Sequence, residues 1–238
     1  LSDATASKTP ATDASWPDLS PPDPEQPLAA QLRAGCDALG LSVDAGQQQR
    51  LLDYLALLAR WNKAYNLTSI RDEAQMVTRH LLDSLAIAPF LTGQRLLDVG
   101  TGAGLPGVPL AILFPQRAFH LLDSNGKKTR FLFQVKTALG LDNMMVHQAR
   151  VESYRVTALY DAVLSRAFAS LQDMVQACHH LLAPGGSFLA MKGALPSEEL
   201  DALSQDYPQR AVFPLHVPGL DEQRHLVVIA QPQGKVHP

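Results

Sequence analysis

Cysteine is scarce: the chain of 238 residues has two, Cys36 and Cys178. A pair so far apart supports neither a disulfide framework nor a zinc pattern. Cys178, at helical spacing with Leu171, Val175 and Leu182, reads as a small core residue. There is no excess of positive charge, since 20 Lys and Arg face 23 Asp and Glu for a net charge of −3. No global field therefore announces a nucleic-acid partner, and any such partner must be met by a local basic patch. No apolar run is long enough to span a bilayer, and no leader pattern is visible. The expectation is a protein of the reducing cytoplasm, without a membrane partner. No internal repeat is apparent, and His179-His180 read as a helix end, so no metal site is expected.

What is present divides into three stretches. Residues 1–27 are rich in Ser, Thr, Ala, Asp and Pro and end Pro21-Pro-Asp-Pro-Glu-Gln-Pro27, with Trp16 the only large apolar group. Such a segment buries too little apolar surface to order itself and reads as a disordered extension. Residues 28–92 carry helical periodicity over Leu28–Leu39 and Asp44–Lys63, then from Asp72, where Gln75 three residues on suggests a capping box. This predicts an N-terminal helical subdomain. Residues 93–238 alternate short apolar runs with helical stretches, the mark of an α/β fold with helices on both faces of a sheet. Strands are expected near Arg95–Val99, Ala118–Leu122, Met144–His147, Asp161–Ser165, Ser187–Met191, Ala211–Val217 and His225–Ala230. Helices are expected near Pro109–Phe114, Gly126–Leu139, Leu171–Leu182 and Ser197–Leu203, with a tight turn at Ala183-Pro-Gly-Gly186.

The chain is organised around Leu96-Leu-Asp-Val-Gly-Thr-Gly-Ala-Gly-Leu-Pro-Gly107. An apolar strand stops at Gly100, and Gly100, Gly102 and Gly104 let the backbone turn and approach a ligand without a Cβ in the way. Helical spacing resumes after Pro106, so the loop presents N–H groups above a strand end, as a nucleotide site requires. Gly102, Gly104 and Gly107 satisfy the dinucleotide fingerprint, a weak signal alone. The acid Asp98 before the first glycine and the alternating glycines instead resemble the first motif of class I S-adenosylmethionine methyltransferases. Asp123, about twenty residues on at the next strand end, is placed to hold ribose hydroxyls under either reading.

Ligands of open α/β sheets bind beyond the carboxyl ends of the strands, which also selects Arg150–Glu152, Ser165-Arg166-Ala167-Phe168 and Lys192-Gly193. Arg166 can pair with a carboxylate, a phosphate or a guanine edge, or with an acid at the sheet's rim. The Asp/Asn-Pro-Pro-aromatic run of amino-directed base methyltransferases is missing after that strand, and neither cysteine sits at a strand end to act as the nucleophile of a cytosine-C5 enzyme. Trp61-Asn62-Lys63-Ala-Tyr-Asn66-Leu-Thr68 could stack on and hydrogen-bond to a base or simply end a helix. Arg79, His80 and Asp83 share a helical face, and Lys127, Lys128 and Arg130 form a basic run.

Taken together, Trp61-Asn-Lys-Ala-Tyr-Asn-Leu-Thr, Arg79-His-Leu-Leu-Asp-Ser, the glycine stretch, Ser165-Arg-Ala-Phe-Ala-Ser, Lys192-Gly and Glu222-Gln-Arg-His-Leu-Val-Val-Ile strongly resemble the RsmG (GidB) family over about Leu32 to Ala230. These are bacterial methyltransferases that use S-adenosylmethionine to modify a guanine N7 in 16S ribosomal RNA. The resemblance implies a Rossmann-like sheet of seven strands and a monomer acting on 16S rRNA or the 30S particle. Carried over by motif, cofactor contacts fall on Gly100, Leu105, Val151, Glu152 and Arg166, beside Gly102, Gly104 and Asp123 from the loop itself. Asn62, Lys63, Asn66, Arg79, His80, Lys127, Lys128 and Lys192 are the candidate RNA contacts. No catalytic base is assigned, because N7 already carries a free lone pair. The competing readings are an NAD-dependent oxidoreductase on the same loop and a non-catalytic ribosome-binding module.

Overall fold

The computed structural model describes residues 27–166, 168–203 and 207–231. The expected disordered extension, up to residue 26, lies outside the described residues. Two long helices come first, α1 (Pro27–Ala38) and α2 (Ala45–Tyr65). Asp44 caps α2 by accepting from the Gln47 N–H while the Gln47 side chain accepts from the Asp44 N–H, a full capping box. Asn66 ends α2 in the left-handed conformation (φ 49°). The capping box expected at Asp72 is only half formed: its carboxylate accepts from the Gln75 N–H at 2.8 Å, and no return bond joins them.

The expected third helix is not one regular helix. It runs as α3 (Glu73–Met76), a π-helical segment Val77–Leu82 and α4 (Asp83–Leu85). A π-helical stretch carries one residue more per turn than the surrounding pattern needs, and such insertions often mark functional sites.

Seven strands follow: β1 (Arg95–Val99), β2 (Ala118–Asp123), β3 (Met144–Gln148), β4 (Tyr160–Ser165), β5 (Leu182–Lys192), β6 (Arg210–Leu215) and β7 (Arg224–Ala230). Between them lie α5 (Gly107–Leu113), α6 (Gly126–Leu139), α7 (Leu171–Cys178) and α8 (Ser197–Ala202). The sheet order is β3-β2-β1-β4-β5-β7-β6. Neighbours are parallel except at β7, which runs antiparallel to both β5 and β6. The order reverses between β1 and β4, the switch point where open sheets bind ligands.

Two expectations need correction. Ala183–Gly186 is no separate turn: it lies inside β5, where pairing jumps from Tyr160↔Leu182 to Ala162↔Ser187. The extra residues are looped out as a bulge. The helix expected to reach Leu182 leaves α-geometry after Cys178 and continues as one 3₁₀ turn, His179–Leu181.

Alternation along the strands splits the core. Leu96, Ala162, Leu164 and Leu189 face a cluster shared with Leu51, Leu58, Leu81, Leu85, Val108 and Phe131. The N-terminal helices and the sheet are therefore welded by one apolar layer. Leu97, Val99, Val163 and Phe188 face α7 through Leu171, Met174, Val175 and Cys178. Cys36 and Cys178 are both free and buried, and burial pushes their thiols up to about 11 and about 12. No described helix is long and apolar enough to cross a membrane.

Candidate active site

The glycine loop is fastened from every side. The N–H groups of Gly100 and Thr101 donate to the Leu122 carbonyl at 2.9 and 3.2 Å, tying the loop to β2. Asp98 Oδ2 accepts from Thr101 Oγ1 at 2.6 Å and from the Gly107 N–H at 2.8 Å, bridging strand to helix. Burial pushes the Asp98 carboxyl up to about 6 despite those two bonds, and its Oδ1 has no partner among the described residues. From α2, the Tyr54 hydroxyl donates to the Ala103 carbonyl at 2.9 Å. Burial holds the Tyr54 phenol well above its ordinary range, so it stays a donor.

Gly102 and Gly104 have φ of 63° and 96°, a region that L side chains avoid. Their surroundings differ. A Cβ on Gly104 would lie 2.4 Å from Val108 Cγ2, whereas one on Gly102 would meet nothing nearer than 3.9 Å. Gly104 is a packing glycine; Gly102 leaves open space for something to approach.

That space adjoins a cavity of about 200 Å³ whose walls include Gly100, Leu122, Asp123, Val151, Glu152 and Phe168. Asp123 Oδ2 accepts from the Gly102 N–H at 2.9 Å and Oδ1 from the Asn125 N–H at 2.8 Å, with Lys128 Nζ at 3.5 Å. The structure thus gathers Gly100, Asp123, Val151 and Glu152 at one wall, with Gly102 joined to it through its N–H bond to Asp123. It does not bring Gly104 and Leu105 to that wall: both are buried beneath the loop, and the Leu105 N–H is used by the Thr101 carbonyl.

A second cavity, about 350 Å³, lies on the other side of the β4 end. Its walls come from the loop after α2 (Thr68, Ser69, Ile70), the π-helical segment (Arg79, His80), Asp83, Arg166, the end of β5 (Lys192) and the start of β7 (Arg224, His225). Four of these side chains are cationic, in a chain with net charge −3. Asp83 stands at its centre, 4% exposed. One of its oxygens accepts from Arg166 Nη1 at 2.9 Å and the other from Arg224 Nε at 3.0 Å.

This answers several sequence expectations. Arg166 borders the second cavity and carries the rim ion pair weighed above as an alternative. Asp83 and His80 are not partners: His80 Nε2 shares a hydrogen bond with Thr68 Oγ1 at 2.9 Å, and burial lowers its imidazole to about 4. Asn62 is turned inward, with its amide bonded to the Thr68 N–H and the Ile70 carbonyl; it stitches the loop and is not available to RNA. Lys192, 12% exposed in its side chain, is engaged by Glu199 at 2.8 Å and by the Phe168 and Ala169 carbonyls. Arg79 pairs with Glu222. Lys63, Asn66 and Lys127 remain exposed. Sequence reasoning missed Asp83 as an organising acid and Arg224 as its second partner. Ser165, picked out as a strand-end position, turns its hydroxyl to the Val99 carbonyl at 2.9 Å and joins the two strand ends at the switch point. Among the described residues no group of three His, Cys, Asp or Glu is arranged to hold a metal.

The sheet order and the loop define the class I methyltransferase fold. In solved structures the same fold recurs in the O-methyltransferase TomG from Streptomyces achromogenes, described in complex with SAM (TM-score 0.53, 15% identity, 75% of this chain and 90% of that one). It recurs too in a ribosomal protein L11 methylase from Lactobacillus delbrueckii (TM-score 0.51, 14% identity, 63% and 77%). The family GidB, rRNA small subunit methyltransferase G, matches residues 47–227. A protein of that name from Saccharophagus degradans is 52% identical over 207 residues, covering 87% of this chain and 93% of its own. Another from Pseudomonas aeruginosa is 54% identical over 202 residues, 84% and 94%. The chain belongs to the rRNA small subunit methyltransferase G family and is a methyltransferase.

Proposed function

We propose that the protein transfers a methyl group from S-adenosylmethionine to N7 of one guanine in small-subunit (16S) ribosomal RNA. The observation that carries this reading is the pair of cavities at the strand ends, one beside the glycine loop with the buried acid Asp123 in its wall, the other lined by four cations. The first fits the cofactor: Gly102 leaves room for backbone approach, Asp123 is an acceptor for ribose hydroxyls, and Leu122, Val151 and Phe168 offer apolar walls for an adenine. When bound there, the cofactor supplies an electrophilic methyl on a sulfonium. The second cavity suits a nucleotide with its phosphates.

The residues between the cavities do the positioning. Guanine N7 has a free lone pair and loses no proton on attack, so no general base is needed. The second cavity accords with that: its arginines cannot accept a proton, Asp83 is occupied by two of them, His80 is bonded to Thr68, and His225 is turned by its Nδ1 onto the Gly193 carbonyl. Catalysis then rests on alignment, which can supply roughly 7–11 kcal/mol. Lys63, Asn66, Lys127 and Lys128 extend the cationic surface toward RNA, and the substrate is the rRNA itself or the 30S particle.

Methyl-labelled S-adenosylmethionine, incubated with naked 16S rRNA and with 30S particles, tests the reading. Label should enter one guanine, and borohydride with aniline should cleave the RNA there. Single-turnover rates should stay nearly flat from mildly acidic to mildly basic pH. A steep rise across neutrality with cleavage-resistant RNA would point to guanine N1, and binding of NAD in place of S-adenosylmethionine would return the oxidoreductase reading.

A further inference from the structure

We propose that Arg224, aimed by Asp83, reads O6 of the target guanine and thereby selects guanine over adenine. This rests on the guanine-N7 reading above. β7 runs antiparallel to β5 with His225 opposite Lys192, so its first residue, Arg224, enters the sheet at the edge where the parallel strands end. There it borders the second cavity. Its Nε donates to Asp83 at 3.0 Å and its Nη1 to the Gln223 carbonyl at 2.9 Å, while Nη2 has no partner among the described residues. A long flexible side chain is thereby fixed at two points with its Nη2 amino group left over.

The base chemistry selects what that donor meets. N7 must keep its lone pair for the methyl group, so recognition has to use the atom beside it. On that edge guanine offers the O6 acceptor and adenine an N6 amino donor. A guanidinium only donates; it is satisfied by O6 and opposed by N6–H. The other cations at the cavity are committed elsewhere: Arg79 to Glu222, and Lys192 to Glu199 and two carbonyls. Arg166 is held at one point only, through Nη1 on the other Asp83 oxygen at 2.9 Å, where Arg224 is held at two. Asp83 is 4% exposed with an arginine on each oxygen, so it is turned toward the guanidiniums and away from an incoming amino group. Asp83 is the positioning residue and Arg224 the reading residue.

The test uses ligated RNA in which the guanine labelled by the wild-type protein is replaced by 2-aminopurine, which lacks O6, or by inosine, which keeps it. Loss of a good guanidinium contact should lower wild-type single-turnover kcat/KM on 2-aminopurine by roughly 10- to 100-fold beyond its weaker N7 nucleophilicity, and inosine should react nearly as guanine does. That intrinsic difference cancels when the guanine to 2-aminopurine ratio is compared between proteins. Arg224→Met should lose activity on guanine and inosine alike, with the ratio falling at least tenfold. Asp83→Asn should lower it in the same direction. Calorimetric binding of S-adenosylmethionine verifies that each variant is folded; Arg224→Lys, which keeps charge and stem, is the second variant and should keep only part of the ratio. An unchanged ratio in Arg224→Met or, if that variant does not fold, in Arg224→Lys overturns the inference. If instead the wild-type protein gives no cleavable guanine, the guanine-N7 reading itself fails, and this one with it.

Discussion

The two cavities at the strand ends are built on opposite plans. The first rests on backbone: the glycine loop, held by Asp98, Tyr54 and Asp123 with most of its N–H groups already bonded, meets the ends of β2 and β3 and leaves open space at Gly102. The second is made of long side chains from five separate segments, each cation near an acid that it must share or release. A backbone cradle is rigid and serves one ligand. A ring of paired cations is adjustable, and phosphates can compete for its members. Under the proposed assignment, a methyl donor of invariant shape meets fixed geometry, while a large RNA meets exchangeable charge.

The largest effect should come from breaking the first plan at its packing point. Gly104→Val imposes both a left-handed φ and a clash with Val108, about 2–5 kcal/mol in sum, read as a fall in Tm. Gly102→Ala carries only the backbone strain, about 1 kcal/mol, yet should weaken S-adenosylmethionine binding at least tenfold by calorimetry. Equal effects on both measurements would erase the distinction between the two glycines. In the second cavity, Asp83→Ala strands two guanidiniums. Because Arg166 and Arg224 reach solvent, the loss in denaturant unfolding should be about 2 kcal/mol, less than for a fully buried pair.

A pH effect belongs to the first cavity. The Asp98 carboxyl is raised from its ordinary 3.8 to about 6 by burial. The folded state therefore holds this proton more tightly, and the stability it contributes is complete below 3.8 and is lost as pH rises through about 6. Asp98→Asn should flatten the stability profile between those values, as followed by urea midpoints. Smaller still, Lys127→Ala with Lys128→Ala should reduce the slope of log K for RNA against log salt by up to about 1.4. Smallest is Glu222→Gln. The pair it breaks is 34% and 49% exposed, so the unfolding midpoint should scarcely move, while RNA affinity should rise modestly as Arg79 is released. A fall in affinity would show that Glu222 serves RNA directly.

The same contrast explains what could be read from the sequence. The strand-loop-helix of the first cavity is local: Asp98, the glycines and Asp123 announce it through spacing alone, and all seven strands were legible from apolar runs. Asp83 was not. Its chain neighbours Arg79 and His80 suggested an i, i+4 relation, yet its partners lie 83 and 141 residues away. Asn62 looked polar and available because nothing in a helix-end sequence reveals that the following loop folds back over it. The Ala183–Gly186 segment showed its turn residues but not that pairing resumes on both sides of them.

The π-helical segment makes chain length itself a functional variable. An ordinary α-helix advances about 100° per residue. Deleting one residue within Val77–Leu82 would let this segment relax into regular helix, and the sheet and glycine loop would be untouched. The wide turn absorbs the extra residue, so the helical faces before and after it would keep their directions, and the side chains inside the turn, Arg79 and His80 among them, would change place. Arg79 is held there by Glu222 and His80 by Thr68. Both contacts should break in such a chain, at a distance from the glycine loop, so a change of length in this one turn should be felt at the second cavity and not at the first.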